Sequence, residues 1–466
     1  MYATDNATNI SAFGLIFGLL MCLLMLVLPR RHAVVPIVAL VCYMTMGQRI
    51  LILDLNFTLI RLLVLFGFVR MLMRGEAQLD KPSPLDRAMV WWVVASIVTY
   101  TALWQTSSAF VNRLGLAYDA LGLYFLFRVL VRNVDEMRFV VRLFALMVAP
   151  VAISMIVEKL SGQNPFAAFG GVPPNALVRE GVIRCQGPFM HPILAGAFGS
   201  ALLPLFVGLW WQRDGKRSTA LIGIVSALVI VVTSGSSGPV MAAGAGVIAL
   251  AMWPWRQHMR TVRWGLGLTV LTLHLVMAAP VWFLLARVGV FGGSTSYHRA
   301  ILIDHAVNRF SEWWLVGTYS TAHWGYYMFD VTNQYVLIAV QGGLISLVLF
   351  IVIIVRGFGS AGRAVHAWES ADRGEQRFLW ALGASLLVHC FNYISVPYFD
   401  QNIVNWYLLL AMLATAGTLV PDGTAAEAAK PPDGIAGGTN PWRNRERRVT
   451  GRLDPAVSHQ VGGHRC

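Results

Sequence analysis

The sequence predicts an all-α fold: a polytopic membrane bundle of about 12–13 transmembrane helices, since apolar runs of spanning length recur along the chain. Of the 466 residues, 56% are hydrophobic and only 13% are charged. That balance lies outside the usual range of soluble domains. Short segments rich in Lys and Arg separate several of the runs, as in multi-pass membrane proteins. We therefore expect residues 1–420 to form one transmembrane helical domain.

Each predicted helix corresponds to one apolar run. The first run has no basic segment before it and no small-residue cleavage site after it, so we expect a retained helix rather than a signal peptide. The clearer runs are Ile10–Leu28, Ala33–Gly47, Phe57–Met73, Ala88–Trp104, Leu116–Val131, Phe139–Val157, Pro192–Trp211, Thr219–Thr233, Val240–Trp255, Trp264–Leu285, Tyr335–Val355, Phe378–Phe391 and Ile403–Val420.

The loops between the runs predict the orientation of the bundle. Arg213–Arg217, Arg256–Arg263 and Arg356–Arg377 each carry several basic residues, which favours a cytoplasmic location. The two longest connections before the tail, Lys159–His191 and Val288–Thr332, then face the periplasm or cell exterior. The side on which the N-terminus lies stays open, because Arg30 and Arg31 and the helix count favour opposite answers.

The remaining composition excludes several kinds of site. The formal charge of +13 arises mainly in the short loops and the tail, where it orients helices, so no nucleic-acid partner is expected. The five cysteines are scattered and odd in number, which predicts neither a disulfide framework nor a metal site. Residues 421–466 are rich in Pro, Gly and Ala and then basic, a composition typical of a disordered cytosolic tail.

The first segment with candidate functional residues is Val182–Gly199, a polar loop that leads into a helix at Pro192. Arg184 lies there on the predicted exported side, near Gln186 and His191. A guanidinium can pair two phosphate oxygens at once and therefore suits a diphosphate. The alternative is an arginine that reaches the lipid headgroups.

The second segment is Tyr297–Gly317, inside the predicted exported loop 288–332. Its apolar residues have helical spacing, which predicts an amphipathic helix lying on the membrane surface. Arg299 opens this helix beside His298, and Trp313 and Trp314 suit the headgroup region. A purely interfacial anchor is the alternative, although it explains Arg299 less well.

The third segment is His323–Leu344, which runs from loop into helix. Polar groups at the mouth of a spanning helix should face a cavity or the bundle, because lipid cannot hydrogen-bond them. His323, Asp330, Asn333 and Tyr335 are the candidates. For His323, a surface role and a general-base role are equally compatible with the sequence. The Thr233–Pro239 stretch, by contrast, is explained by turn chemistry alone.

In these segments the chain resembles the O-antigen ligase and O-antigen polymerase family of bacterial membrane glycosyltransferases. The family has many helices, a large exported loop in its C-terminal half, and an Arg, Gly, aromatic, Pro pattern before a mid-chain helix. That pattern reads here Arg184, Gly187, Phe189 and Pro192. The resemblance covers residues 182–344, and the flanking helices only through their hydropathy.

Two further family patterns occur with changes. An arginine that opens a helix in the large loop is matched by Arg299, and a later glycine by Gly317. In the family the next helix begins with a His-Asn-x-Tyr pattern, and its Asn and Tyr are present here as Asn333 and Tyr335. Thr332 stands where the ligases have histidine, Gln341 replaces a glutamate, and the arginine of a Ser-Arg-Gly pattern after the eighth helix is missing. A threonine cannot act as a base at neutral pH.

The resemblance implies a nucleotide-sugar-independent glycosyltransferase of the inner membrane, with no cofactor and with its active face exported. Its donor would be a glycan on undecaprenyl diphosphate and its acceptor a glycan or a lipid, and membrane lipids and other polysaccharide export proteins are expected partners. The Thr332 change favours a polymerase over a lipid A-core ligase. A transporter or flippase, and an inactive scaffold of a polysaccharide assembly complex, are the alternatives.

The resemblance also assigns roles to the candidate residues. Two arginines would stabilise the leaving diphosphate, and an acidic residue or a histidine would orient or deprotonate the acceptor. The expected catalytic residues are Arg184, Arg299, Asp330 and His323. The expected substrate-binding residues are Gln186, His191, His298, Asn333 and Tyr335.

Overall fold

The computed structural model describes residues 10–52, 55–79, 81–212, 216–287, 294–369 and 372–419. These residues are mostly helical, and the predicted tail, residues 421–466, lies outside them. The described α-helices are α1 (Ala12–Val27), α2 (Val35–Tyr43), α3 (Leu59–Met73), α4 (Pro84–Trp104), α5 (Ser107–Leu130), α6 (Val134–Ser161), α7 (Pro192–Trp210), α8 (Arg217–Thr233), α9 (Ser237–Ala251), α10 (Met259–Val276), α11 (Leu284–Arg287), α12 (Ser294–Asn308), α13 (Phe310–Trp313), α14 (Gln334–Ala367), α15 (Arg373–Ser395) and α16 (Gln401–Ala416).

Two small antiparallel hairpins and several short 3-10 turns complete the described elements. The 3-10 turns are Arg30–His32, Pro165–Phe169, Trp253–His258, Val281–Phe283 and Ala322–Trp324. One hairpin pairs β1 (Arg49–Ile52) with β2 (Leu55–Thr58), and the other pairs β3 (Leu177–Arg179) with β4 (Val182–Arg184).

Within the described ranges, five helices are long and apolar enough to cross a membrane: α4, α6, α7, α14 and α15. The number rises to six when α9 and the segment Trp253–Val276, bent by 79° at the break between them, are taken as one span. The helical, multi-pass membrane class is thus confirmed. The higher number of spans stays a prediction, because runs such as those in α1 and α8 form shorter apolar helices.

The almost fully buried helix α7 lies at the centre of the bundle and packs against α8, α9 and α15. Small residues permit the close approach. A Cβ on Gly196 would lie 2.5 Å from Ser234 Oγ, and one on Gly208 would lie 2.7 Å from Ala381 Cβ. Between membrane helices the hydrophobic effect is absent, because lipid tails are themselves apolar. Close van der Waals packing at small residues therefore holds such helices together.

Three arginines within the helices are paired with carboxylates. Arg128 Nε lies 3.1 Å from Asp86 Oδ1, and Asp86 also closes a capping box with Ser83 at the start of α4. Arg61 contacts Asp119 at 2.6 Å, and Arg70 contacts Glu76 at 2.9 Å. These arginines therefore have carboxylate partners, the arrangement that makes a charge tolerable inside a membrane bundle.

Parts of the three predicted cytoplasmic loops meet at one end of the bundle, here called the basic end. Gln212 Nε2 donates to the Gly374 carbonyl at 2.7 Å, and Gln257 Nε2 donates to Glu369 Oε1 at 2.9 Å. Residues 213–215 and 370–371 of these loops lie outside the described residues. From this end α15 runs for 23 residues, about 34 Å at 1.5 Å per residue, to the opposite end of the bundle.

The predicted amphipathic helix forms as α12 and α13, and residues 288–293 before it are not described. Its apolar face packs against protein: Leu302 and Trp313 lie in one cluster with Trp324, Met328 and Val340. The indole nitrogen of Trp313 donates to the Ala306 carbonyl at 2.7 Å. Of the two tryptophans expected at the headgroups, only Trp314 is exposed, because the other fills the space between the loop and α14.

The loop is held on α14 where the helix is broken at Gly343, which has a φ of +68°. The Leu344 amide donates to the Trp314 carbonyl at 2.7 Å, and the Thr318 amide donates to the Val340 carbonyl at 2.7 Å. A Cβ on Gly343 would fall well inside contact distance of the Leu315 carbonyl oxygen. This glycine therefore permits both the left-handed backbone and the close approach.

Replacing Gly343 by alanine should lower the free energy of unfolding by about 2 kcal/mol or more, since left-handed strain and overpacking add. The thermal unfolding midpoint of the detergent-purified protein measures the change. Gly362 on the same helix is the matched control, because no neighbouring atom lies within 4 Å of its Cβ position. An equal loss of stability in Gly343→Ala and Gly362→Ala would contradict the anchoring role.

Candidate functional site

A cavity of about 730 Å³ lies at the end of the bundle opposite the basic end. The β3–β4 hairpin, the start of α7, the turn between α8 and α9, α12, the start of α14 and the segment between α15 and α16 surround it. Four residues predicted from three separate sequence segments line this one cavity: Arg184, His191, Arg299 and Asp330.

The hairpin brings two arginines to the cavity. Glu180 and Gly181 between the strands both have positive φ, the conformation of a two-residue type I′ turn. In the register of the hairpin, Arg179 pairs with Val182, and Arg184 lies two residues further along the second strand. Residues two apart share a face, so these three side chains point the same way, and all three line the cavity. Arg179 is an addition that the sequence did not single out.

Arg184 is buried, with 7% of its surface exposed. Its Nη2 donates to Ser236 Oγ at 2.6 Å, while its Nε has no partner among the described residues. Burial, and then the charge of Arg179, lower the pKa of Arg184. The guanidinium therefore keeps hydrogen-bonding capacity for a ligand.

The turn between α8 and α9 contributes directly to the site. Gly235 has a φ of +55°, and a Cβ there would lie 3.0 Å from Arg184 Cγ. Ser236 holds the guanidinium of that arginine. The Thr233–Pro239 stretch is thus more than a connection: its glycine makes room for the arginine and its serine orients it.

Arg299 reaches the same cavity from α12. It is 8% exposed, and its Nε also has no hydrogen-bond partner in the described part of the chain. Burial, followed by the charges of Arg179 and Arg184, lowers the pKa of Arg299 to about 10. Three positive groups close enough to repel one another indicate a site for an anion.

His191 is the N-cap of α7, and its Nδ1 accepts from the Ile193 amide at 3.2 Å. Burial, and then Arg184 and Arg179, lower the pKa of His191 to about 4. The imidazole is therefore neutral near pH 7, and since Nδ1 accepts, Nε2 carries the proton. His191 suits a role as a neutral hydrogen-bond donor in the cavity.

Asp330 and Thr332 line the cavity just before α14. The Asp330 side chain is exposed, and its carbonyl oxygen lies 3.3 Å from His298 Nε2, which ties α12 to the start of α14. The Thr332 hydroxyl is buried without a partner among the described residues. Thr332, the residue that differs from the histidine of the ligase pattern, therefore lies in the cavity wall.

A further acidic group, Asp400, lies outside the three segments that the sequence analysis singled out. It lies in the cavity wall just before α16, and its Oδ2 is buried with no partner in the described ranges. Burial raises the pKa of Asp400 to about 6. Its φ of +54° and ψ of −131° are strained for a residue with a side chain, a feature that clusters at functional sites.

The other predicted residues lie outside the cavity lining. His323 Nε2 is 2.8 Å from Glu312 Oε2, and half of the His323 side chain is exposed. Hydrogen bonds from Trp324, His323 and Arg309 lower the pKa of Glu312 to about 2. This ion-paired cluster belongs to the surface of the loop, so the geometry offers no reason to place His323 at the chemistry.

Gln186, Asn333 and Tyr335 have structural contacts. Gln186 Nε2 donates to the Phe189 carbonyl at 3.0 Å. Asn333 is the N-cap of α14 and accepts from the amides of Tyr335 and Val336. The Tyr335 hydroxyl donates to the Cys390 carbonyl at 3.1 Å. These residues shape the loop and the helix start, which explains why they flank the cavity without lining it.

The cavity combines three guanidinium groups, two carboxyl groups and a neutral imidazole. Fixed guanidiniums stabilise negative charge that develops on a bound group, and a carboxylate with a raised pKa can accept a proton. The described residues contain no cluster of three His, Cys, Asp or Glu that could hold a metal ion. The arrangement is thus suited to bind an anionic group beside a base.

No protein-family model matches this chain, and no curated protein matches it in sequence. The resemblance to the O-antigen ligase and polymerase family therefore depends on the residues of the three segments described above.

Proposed function

We propose that the protein is a membrane glycosyltransferase that polymerises or ligates glycans carried on undecaprenyl diphosphate. The observation that carries the proposal is the arginine-rich cavity, whose lining includes two buried guanidinium Nε atoms and a buried carboxyl oxygen that have no partner among the described residues. Arg184 and Arg299 are the groups that would bind the diphosphate. Arg179 adds positive charge at the hairpin.

The proposed location is the bacterial inner membrane, with the cavity on the periplasmic or exterior face. The support is the separation of charge between the two ends of the bundle. Basic segments around Arg217, Arg256–Arg263 and Arg373–Arg377 lie at the end away from the cavity, and basic loops favour the cytoplasm. A cytoplasmic C-terminus would follow from the same orientation, because α16 runs from the cavity towards the basic end.

In the proposed reaction an acceptor hydroxyl oxygen attacks the anomeric carbon of the donor sugar. A new glycosidic C–O bond forms, and the bond to the diphosphate breaks with its electron pair leaving on undecaprenyl diphosphate. Arg184 and Arg299 stabilise that developing charge. The Nε2–H of His191 donates a hydrogen bond to the lipid-linked glycan.

Asp400 takes the hydroxyl proton in this proposal. With a pKa raised to about 6 by burial, the carboxylate is largely ionised at neutral pH yet more basic than an ordinary aspartate. Asp330, exposed at the rim, would orient the acceptor. This assignment replaces the expected role of His323, which is paired with Glu312 outside the cavity.

Polymerase activity is the preferred form of the function. Thr332 lines the cavity where the ligases of the family have histidine, and its hydroxyl can donate or accept a hydrogen bond but cannot act as a base at neutral pH. A glycan acceptor would be bound by such hydroxyl and carboxyl groups. Other polysaccharide export proteins remain proposed partners.

A flippase is the contrasting function, and the paired charges count against it. A transport path needs polar groups exposed to a central route near the membrane midplane. Two arginines within the helices instead make ion pairs: Arg61 with Asp119 and Arg128 with Asp86. In the described part of the chain, the Nε atoms of Arg184 and Arg299, which lack partners, both belong to the cavity at one end of the bundle.

The proposal is tested by supplying undecaprenyl-diphosphate-linked oligosaccharide to the purified protein in proteoliposomes. We expect longer lipid-linked glycans and release of undecaprenyl diphosphate without any nucleotide sugar. Movement of the unchanged donor between leaflets would instead show a flippase. Neither product nor movement, in protein that retains its fold, would favour the scaffold alternative and overturn the proposed function.

A further inference from the structure

A second cavity, of about 530 Å³, opens at the basic end of the bundle. One side of it is formed by the 3-10 turn Trp253–His258 and the first turns of α10, and the other side by α14 and α15. We call this cavity the basic groove. Its volume is within the range of small-ligand sites, about 300–1,000 Å³. Nothing in the proposed glycan transfer uses it.

One wall of the basic groove carries positive charge. Arg256, Arg260 and Arg263 line it, and His366 stands across from them. Glu369 is the acidic residue of the lining, and it already accepts from Gln257 and lies 3.3 Å from His366. The groove thus has an excess of guanidinium groups.

The arginines are only weakly engaged by the protein. Arg256 lies over the Trp253 ring at 4.5 Å, and Arg263 Nε donates to the Met259 carbonyl at 3.2 Å. Arg260 is exposed and has no acidic partner among the residues that the structure describes. These side chains can therefore turn towards an anion at little cost.

The floor of the groove is apolar. Its surface comes from Leu266 of α10, Ala361 and Val365 of α14, and Ala384 and Leu387 of α15. At Gly362 the floor is open, with no atom of the described residues within 4 Å of the position of a Cβ. An inorganic anion would leave this surface uncovered, whereas hydrocarbon chains would bury it.

The helix α10 also exposes apolar surface that hydrocarbon chains would cover. None of its residues is buried, and apolar side chains such as Trp264, Leu266 and Leu275 are exposed around it. The segment that contains α10 leaves α9 at 79°, so the groove is open along the helix. Acyl chains can therefore enter it from the side.

We infer that the basic groove binds an anionic glycerophospholipid, with its phosphate at Arg260 and Arg263 and its acyl chains on the apolar floor. The cytoplasmic leaflet of a membrane is rich in anionic lipids, which attract basic segments of a protein. A second copy of this chain would meet the groove with like-charged arginines, and the basic stretch of the tail, Arg443–Arg448, carries the same charge. The bound lipid would hold α10 against α14 and α15.

The test is binding of phosphatidylglycerol and phosphatidylcholine to the full-length protein in detergent, measured by native mass spectrometry and by the shift of the unfolding midpoint. A ligand that binds only the folded state raises that midpoint. We expect phosphatidylglycerol to bind at least tenfold more tightly than phosphatidylcholine. Inorganic phosphate is the third probe, and we expect it to bind at least tenfold more weakly than phosphatidylglycerol.

Two variants remove different halves of the site. The double variant Arg260→Gln/Arg263→Gln should abolish the preference for phosphatidylglycerol. Arg87→Gln is its control and should keep that preference, because Arg87 is an exposed arginine of α4 outside the groove. Gly362→Leu should block both lipids by filling the open floor. Gly267→Leu is its control, because Gly267 of α10 also has free space but does not line the groove.

Several results would overturn the inference. Equal binding of the two lipids would show ordinary solvation of the apolar surface. Phosphate binding as tight as that of phosphatidylglycerol would show an anion site without a lipid. Unchanged lipid binding in Gly362→Leu would place the lipid elsewhere, and this readout does not depend on glycosyltransferase activity.

Discussion

Replacing Arg299 by alanine should lower the rate of glycan transfer by about 10²–10³-fold, the usual loss when one group that stabilises developing charge is removed. The Arg299 guanidinium is 8% exposed and its Nε lacks a partner in the described chain, so it is placed to bind the leaving diphosphate. In cells, surface glycan should shorten and the lipid-linked donor should accumulate. Both can be followed by gel electrophoresis and lipid extraction.

Arg184 offers the parallel test, with lysine and alanine variants. Lysine keeps the charge but loses the planar fork of donors, so we expect Arg184→Lys to fall between the wild type and Arg184→Ala. Arg309→Ala is the control, because Arg309 is only partly buried and is paired with Glu312 at 2.9 Å outside the cavity. Polymer of normal length from both alanine variants would overturn the diphosphate-binding role.

Replacing Asp400 by asparagine should lower the rate by about 10²–10⁴-fold, the contribution of a general base, and should also make the protein more stable. The two effects have one cause. Burial of the carboxyl group raises its pKa from 3.8 to about 6, which makes it a better base and also means that the charged form is disfavoured in the folded protein.

The direction of the pH dependence follows from that shift. Between about pH 4 and pH 6 the folded protein binds the proton of Asp400 more tightly than the unfolded chain does, so stability falls as the pH rises through this window. Asp400→Asn should therefore raise the free energy of unfolding at pH 7 by roughly 3 kcal/mol, at about 1.4 kcal/mol per pKa unit, and change it little below about pH 4. Wild-type activity should fall below about pH 6, where the base is protonated.

Asp135→Asn is the matched control for this substitution. Asp135 is largely exposed and pairs with Arg138 at the start of α6, so its loss should change neither the rate nor the pH profile. His323→Ala serves as a second comparison, because His323 lies outside the cavity lining. A large loss of rate in His323→Ala together with a normal rate in Asp400→Asn would reverse the assignment of the base.

The positions of two arginines were predictable for a physical reason. Polar and charged residues that flank long apolar runs cannot face lipid, so those at the mouths of helices must gather where water or a ligand can reach them. Arg184 before α7 and Arg299 at the start of its loop helix fulfilled that condition. Both lie in one cavity with Asp330 and His191.

Other parts of the site had no comparable signal. Ser236 lies in a stretch that turn chemistry fully explains, and only the packing of that turn on β4 shows that it orients Arg184. Asp400 comes just before a short apolar helix, as many loop residues do. Its raised pKa comes from burial, and its Oδ2 has no hydrogen-bond partner among the residues that the structure describes. His323 had the right chemistry in the sequence but faces Glu312 instead.

By itself the sequence determined that lipid is the solvent and that helices cross it, because hydrophobic length and the placement of Lys and Arg are properties of a chain before it folds. Which helix ends meet is a different matter. The cavity joins residues as far apart as Arg179 and Asp400, and the pKa of Arg299 is lowered by burial and by the charges of Arg179 and Arg184 from a different segment of the chain. Burial and charge at a site are properties of packing, so only the tertiary structure could separate Asp400 from His323.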